Sequence, residues 1–331
     1  MVKRVSTAIV MTVSLLFTVC AQAGPAWDTY KSRFLMPDGR IVDTGNNNVS
    51  HTEGQGYAML MAVASNDRAS FDKIWAWTNK TLKNKENGLF YWRYNPVEPD
   101  PLADKNNASD GDALIAWALL KADARWHDAR YTAASDAITK AIVAHTVINF
   151  AGYRVMLPGA QGFNHNSDVT LNPSYFIFPA WQAFAERSHL VVWRELIRDA
   201  NTLTAKMAWG ESKLPVDWVT LHADGKMQPA SKWPPRMSYD AIRIPLYVAW
   251  QNPQSPLLTP WRNWFGQFSG DKNPAWVNVM TNETAPYNMS GGLLAVRDLA
   301  LGVKHGEPQI DAQEDYYSAS LKMLVWLAEQ E

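Results

Sequence analysis

The sequence predicts an all-α protein, a closed toroid of helix hairpins with short β excursions in its loops. Three observations carry that prediction. Apolar residues recur at helical spacing along most of the chain. The segments so marked run to roughly 11–17 residues and follow one another in pairs, across short polar or Gly/Pro-rich connections. Strand-like alternation is scarce, and no fixed period near ~34 or ~40 residues marks the open solenoid that is the alternative to a ring.

The chain opens with an export leader over residues 1–23. Lys3 and Arg4 give a basic start, residues 8–19 are apolar but short for a bilayer, and Ala21-Gln22-Ala23 is a small-residue cleavage site. An uncleaved anchor is the competing reading, and the small residues argue against it. Cys20 is the only cysteine and falls inside the leader; Val19 before it argues against lipidation. Residues 24–331 are therefore expected to form one exported domain, periplasmic or secreted. It has no disulfide, thiol or membrane anchor and is held by a large core.

Helices follow over 55–65, 68–82, 110–126, 131–147, 173–186, 193–209, 239–250, 256–268, 289–301 and 312–328, each with apolar residues three and four apart. The first is preceded by Thr52 with Gln55 three residues on, a capping box; Ser109 and Asp112 repeat that pattern before 110–126. The helix over 239–250 follows the stretch Trp233-Pro234-Pro235. Strands are expected only over 89–94 and 216–221.

Net charge is −1 with 19% charged residues, and there is no basic run for nucleic acid and no polybasic patch for a membrane. The departure is aromatic: 16 Trp, 12 Tyr and 11 Phe. Most are core; the Trp excess also suits carbohydrate, whose C–H faces stack on indole rings.

Three acidic residues stand at predicted helix starts. Asp110, in Ser109-Asp110-Gly111-Asp112, has a defined position there, as an enzyme of an uncharged, hydroxyl-rich substrate requires. Glu53 lies in Thr52-Glu53-Gly54-Gln55-Gly56-Tyr57, where two glycines admit another chain or a ligand close to the backbone. It reads either as a dipole-compensating residue or as an acid. An acid must keep its proton against the helix dipole, through burial against aromatics or a nearby carboxylate such as Asp110 or Asp112. Asp240, in Ser238-Tyr239-Asp240-Ala241-Ile242-Arg243, reads either as one half of an i,i+3 surface ion pair or as a base kept ionised by Arg243.

Together these runs resemble glycoside hydrolase family 8. The run from Ala108 to Trp126 resembles the family signature, Glu53 to Tyr57 its acid-bearing segment, and Ser238 to Arg243 its base-bearing segment. Asn172-Pro173-Ser174-Tyr175 and Asp217-Trp218-Val219 are similar to secreted endoglucanases that accompany bacterial cellulose synthesis. The likeness spans roughly Trp27 to Glu329; Thr52 and Ala58 stand where Ser and Gly are expected. The resemblance implies an (α/α)6 barrel over 24–331, a single glycoside hydrolase domain. It implies an inverting endo-β-1,4-glucanase with Glu53 as acid, Asp240 as base and Asp110 holding the sugar at the cleavage point. Trp92, Tyr94, Tyr175, Tyr239 and Arg243 become subsite candidates, with Trp92 and Tyr94 as platforms. Trp181 is a further candidate, though core packing suits its mid-helix place. Asp112 either orients Asp110 or caps its helix. The implied partner is a β-1,4-glucan, with a functional association with cellulose synthase and its secretion machinery; a monomer is expected.

No metal site is expected, because the seven histidines lack ligand spacing, and no cofactor, because no Gly-rich phosphate loop follows a strand. The alternatives are the same mechanism on chitosan, xylan or mixed-linkage glucan, a non-catalytic glucan-binding protein, and a polysaccharide lyase. The last would need a Tyr/His/Arg base constellation, which does not stand out.

Overall fold

The computed structural model describes residues 24–331, so the predicted leader over 1–23 lies outside the described residues. The helices, in chain order, are α1 (Pro25–Phe34), α2 (Thr52–Ala64), α3 (Arg68–Thr81), α4 (Ser109–Trp126), α5 (Ala129–Thr146), α6 (Phe178–Ser188), α7 (Val191–Lys206), α8 (Arg243–Gln251), α9 (Thr259–Phe265), α10 (Gly291–Leu301) and α11 (Tyr316–Glu329). Contacts run from α2 to α4, α6, α8, α10 and α11 and back to α2, which closes the ring; α1, α3, α5, α7 and α9 pack against its members. This is the all-α (α/α)6 barrel. Among the described residues no helix is long and apolar enough to cross a membrane.

The sequence separates the two layers. α2 buries every residue except Glu53 and Ala64, and α4 is buried without a break from Ser109 to Leu119. A helix apolar on all sides must have neighbours on all sides. α3 buries only Phe71, Ile74 and Thr78, a single stripe that suits a helix covering the ring. Trp27, Trp181, Trp193 and Trp261 are fully buried, so much of the tryptophan excess is core, Trp181 included.

Small residues fix how closely the ring helices approach. A Cβ on Gly111 of α4 would stand 2.9 Å from the Thr52 carbonyl carbon, and one on Gly56 of α2 3.2 Å from the Ile115 nitrogen. The chain that Gly56 admits is thus α4 itself, and the N-termini of α2 and α4 lie against each other.

Prolines explain where three predicted helices shift. A helix begun at Tyr239 would carry Pro245 in its interior, where the ring clashes and an N–H is lost. α8 instead begins at Arg243, with Pro245 in its first turn. The predicted helix over 173–186 splits into a 3-10 turn, Pro173–Tyr175, and α6, whose second residue is Pro179; 256–268 likewise splits before α9 and Pro260. α1 was not among the predicted helices.

The short strands are β1 (Ser50–His51), β2 (Arg93–Tyr94), β3 (Val147–Phe150), β4 (Tyr153–Met156), β5 (Asp168–Leu171), β6 (Val219–His222), β7 (Met227–Pro229), β8 (Arg236–Met237) and β9 (Val277–Asn278). All pair antiparallel. Their registers bring distant loops together. Ser50 opposite Tyr94 sets Trp92 beside the start of α2, where the Thr52 N–H donates to the Trp92 carbonyl at 2.9 Å. Leu171 opposite Val219 sets the turn carrying Tyr175 beside Trp218. The predicted strands over 89–94 and 216–221 contract to β2 and shift to β6.

Candidate active site

Neither capping box forms. Strand pairing holds His51 extended (φ −141°), so α2 starts one residue earlier than a Thr52 cap requires. His51 is the N-cap: its Nδ1 accepts the Gly54 N–H at 3.2 Å while its Nε2 faces Asp43 at 3.2 Å. Gln55 turns away to accept the Ile41 N–H at 2.6 Å. In α4 the Ser109 hydroxyl donates to the Leu157 carbonyl at 2.8 Å, and the Asp112 carboxylate accepts from the Phe90 N–H at 3.0 Å and the Asn107 amide at 2.7 Å. Asp112 therefore neither caps its helix nor bonds Asp110; it ties two loops to the base of the site. Asp240 is in the turn ahead of α8, not in the helix.

Glu53 from α2, Asp110 from α4 and Asp240 meet at one buried guanidinium, that of Arg243, which is 4% exposed. Its Nη2 donates to Asp240 Oδ1 at 2.6 Å and to the Ser174 hydroxyl at 3.1 Å. Its Nη1 donates to Glu53 Oε2, reaches the Tyr57 hydroxyl at 3.3 Å and lies 4.0 Å from Asp110 Oδ2. One guanidinium thus bridges Glu53 and Asp240, Nη1 on the first and Nη2 on the second. Asp110 Oδ1 is buried with no protein partner.

These residues line one groove. An inner hollow of about 190 Å³ is walled by Glu53, Asp110, Asp240 and Arg243 with His51 and Asn46. An adjoining one of about 330 Å³ shares Trp92, Ala108, Tyr175 and Asp240 with it and extends past Phe163 and Trp218. A larger hollow of about 540 Å³ beside α5 and α7 offers one carboxylate, Asp136, already paired with Arg187 at 2.8 Å. Of these hollows among the described residues, those of the groove bring several carboxylates to face each other among aromatic walls.

Burial and mutual repulsion set the protonation of the cluster. Withdrawal from water, then the charge of Glu53, push Asp110 up to about 7 against the pull of Arg243. Burial pushes Asp112 up to about 7, against the bonds from Asn107 and Phe90. Asp240 keeps 31% of its side chain open to the groove. The predicted pairing with Arg243 is present, yet loss of water on its inner side outweighs it and raises the carboxyl.

Of the other predicted residues, Trp92 lines both hollows, and its indole N–H is fixed on Asp104 at 2.7 Å. Tyr175 lines both hollows too. Tyr94, expected beside Trp92 as a platform, instead packs edge-on against Trp77 at 5.4 Å and under Arg40, outside the two hollows. Trp92 precedes β2 rather than lying in it, so strand alternation does not hold the two rings on one face. Tyr239 is 44% exposed and stands outside both hollows, its hydroxyl 3.3 Å from that of Tyr287. Ser174, Asp217 and Trp218 carried no predicted role. Their signal lay in the runs Asn172-Pro173-Ser174 and Asp217-Trp218, but only the fold sets those runs against Arg243 and Asp240.

A family model described as glycosyl hydrolases family 8 matches residues 1–331. An endoglucanase of Cellulomonas uda is 62% identical over 299 residues, 90% of this chain and 83% of that one. A probable endoglucanase of Novacetimonas hansenii is 38% identical, over 92% of this chain and 90% of that one. The crystal structure of an endo-β-1,4-glucanase from an Achatina fulica gut metagenomic library superposes with a TM-score of 0.92 at 67% identity, covering 93% of this chain and 98% of that one.

Proposed function

Because this chain belongs to glycosyl hydrolase family 8, we propose that it hydrolyses internal β-1,4-glucosidic bonds of a glucan by an inverting acid/base mechanism. The observation that carries this reading is the convergence of Glu53, Asp110 and Asp240 on Arg243 in an aromatic-walled groove. Glu53 is the acid that protonates the leaving glucosyl oxygen. Asp240, open to the groove, is the base that takes a proton from the attacking water. Inversion asks for roughly 6.5–9.5 Å between the two carboxyls, which leaves room for that water.

Asp110 needs no covalent role in such a reaction. Its unpartnered buried Oδ1 suits an acceptor for a sugar hydroxyl at the cleavage point. With a carboxyl near 7, it also lets the cluster retain a proton around neutrality. Trp92 and Tyr175 offer ring surface to the sugars, and Arg243 orients both reacting carboxylates.

Residues 1–23 are read as an export leader, which would carry the enzyme out of the cytoplasm. The runs Asn172-Pro173-Ser174-Tyr175 and Asp217-Trp218-Val219 support a setting in bacterial cellulose synthesis, alongside the synthase and its secretion machinery. The test is a parallel incubation with carboxymethylcellulose, xylan and chitosan. Viscosity of carboxymethylcellulose is expected to fall well before reducing ends accumulate, as internal cleavage demands. Faster release from xylan or chitosan would reassign the substrate, and no release from any would leave only a glucan-binding protein.

A further inference from the structure

We infer that Asp217 and Trp218, at the entry to β6, form a clamp that sets the position of Asp240. Asp217 holds the main chain of the turn, and Trp218 holds the carboxylate. The inference rests on the reading of Asp240 as the base.

Asp217 Oδ1 accepts the N–H of Ser238 at 3.0 Å and that of Ala241 at 2.8 Å, so one oxygen grips the turn on both sides of Asp240. The Asp217 N–H in turn donates to the Arg236 carbonyl at 2.9 Å, tying the grip to β8. α8 has no side-chain cap of its own, so this turn depends on a partner from elsewhere in the chain.

Trp218 then takes the side chain. Its Nε1–H donates to Asp240 Oδ2 at 3.1 Å, while Arg243 holds Oδ1 at 2.6 Å. Two donors from separate elements, one on each oxygen, fix the plane of the carboxylate, and with it the lone pair offered to water. The ring is not free for other work. Trp233 stacks on it at 4.4 Å and 8°, and Phe163 lies parallel at 5.9 Å and 9°. The stack holds the ring and aims its N–H. We read Trp218 and Asp217 as positioning residues that act on the reaction through Asp240.

The charged and titratable groups facing Asp240 are Arg243, Glu53, Asp110, Asp217, Tyr175 and Tyr317. None is altered when Trp218 alone is changed. Trp218→Phe keeps a ring in the stack and removes the N–H; β-(3-benzothienyl)alanine at 218 removes the N–H without changing the shape. On cellopentaose both are expected to lower kcat by about 10- to 100-fold, the worth of a hydrogen bond to a charged group, with KM within about twofold. The acidic limb of the kcat/KM profile should move to higher pH, because the ionised base has lost a donor. Asp217→Ala, which frees two main-chain N–H groups, is expected to lower kcat as well.

Wild-type kcat and an unmoved acidic limb in the benzothienyl protein would overturn the clamp, whatever the folding of Trp218→Phe. So would a raised KM with unchanged kcat, the mark of a sugar platform. Asp217→Ala with wild-type kcat would overturn the main-chain half. Asp240→Asn, assayed beside them, separates the premise: if it retains turnover, Asp240 is not the base, and the reading of the site fails independently of Trp218.

Discussion

Asp110→Asn is expected to make the protein more stable at alkaline pH while it damages turnover. The wild-type carboxyl is 4% exposed, has one oxygen without a partner and is held up near 7. In the unfolded chain it titrates near ~3.9. Between those values the folded state binds more protons than the unfolded state, so stability falls as pH rises through the window from about 4 to about 7. The full difference is at most ~4 kcal/mol, of which ~2–3 kcal/mol is lost between pH 5 and pH 8. Asparagine keeps the shape and has no proton to lose. Asp112 and Asp217, both also raised to about 7, are present in both proteins; the part of the Asp112 shift that the Asp110 charge supplies is lost in the variant and adds to its advantage in the same direction. Urea unfolding followed by tryptophan fluorescence at pH 5 and pH 8 measures the effect. The advantage of the variant over wild type should grow by ~2–3 kcal/mol from the lower to the higher pH. An advantage that does not change with pH would mean that Asp110 ionises as an ordinary surface carboxyl does, and the electrostatic account of the cluster would be wrong.

Two other substitutions address the acid and the scaffold. Glu53→Gln removes the proton donor but keeps the shape, so turnover of unactivated glucan should fall by ~10²–10⁴-fold with binding retained; near-normal turnover with Glu53→Gln would remove the acid role. Gly111→Ala places a Cβ 2.9 Å from the Thr52 carbonyl carbon and forces α4 away from α2. A loss of ~1–3 kcal/mol in denaturant unfolding, together with reduced kcat as Asp110 moves relative to Glu53, is expected; an unchanged midpoint would show that the two helices are not in close contact.

The ring was legible because apolar residues recur three and four apart over segments of roughly 11–17 residues, longer than an ordinary strand. The helix starts were less so. An imidazole accepting through Nδ1 lies outside the usual capping residues, so nothing in the sequence marks His51 as the cap of α2. Pro245, Pro179 and Pro260 did carry the true starts of α8, α6 and α9, since each is tolerated only in a first turn. The hairpin of β3 and β4 was hidden because its two-residue turn is Ala151-Gly152, both with positive φ, where Asn-Gly would have signalled it. Glu53, Asp110 and Asp240 were marked by local runs. Their meeting point was not: Arg243 was expected to pair with Asp240 alone, and its grip on Glu53, 190 positions away, exists only once α2 and α8 share the ring. Asp217 and Trp218 stayed without a role for the same reason.

The stereochemistry of the first products tests the central claim most directly. Proton NMR of wild-type enzyme acting on cellopentaose, recorded before mutarotation, should show the new reducing end as the α-anomer, as a water activated by Asp240 and attacking opposite the leaving group requires. An initial β-anomer would mean retention through a covalent intermediate. It would contradict the assignment of Asp240 as a water-activating base and make Asp110 a candidate nucleophile.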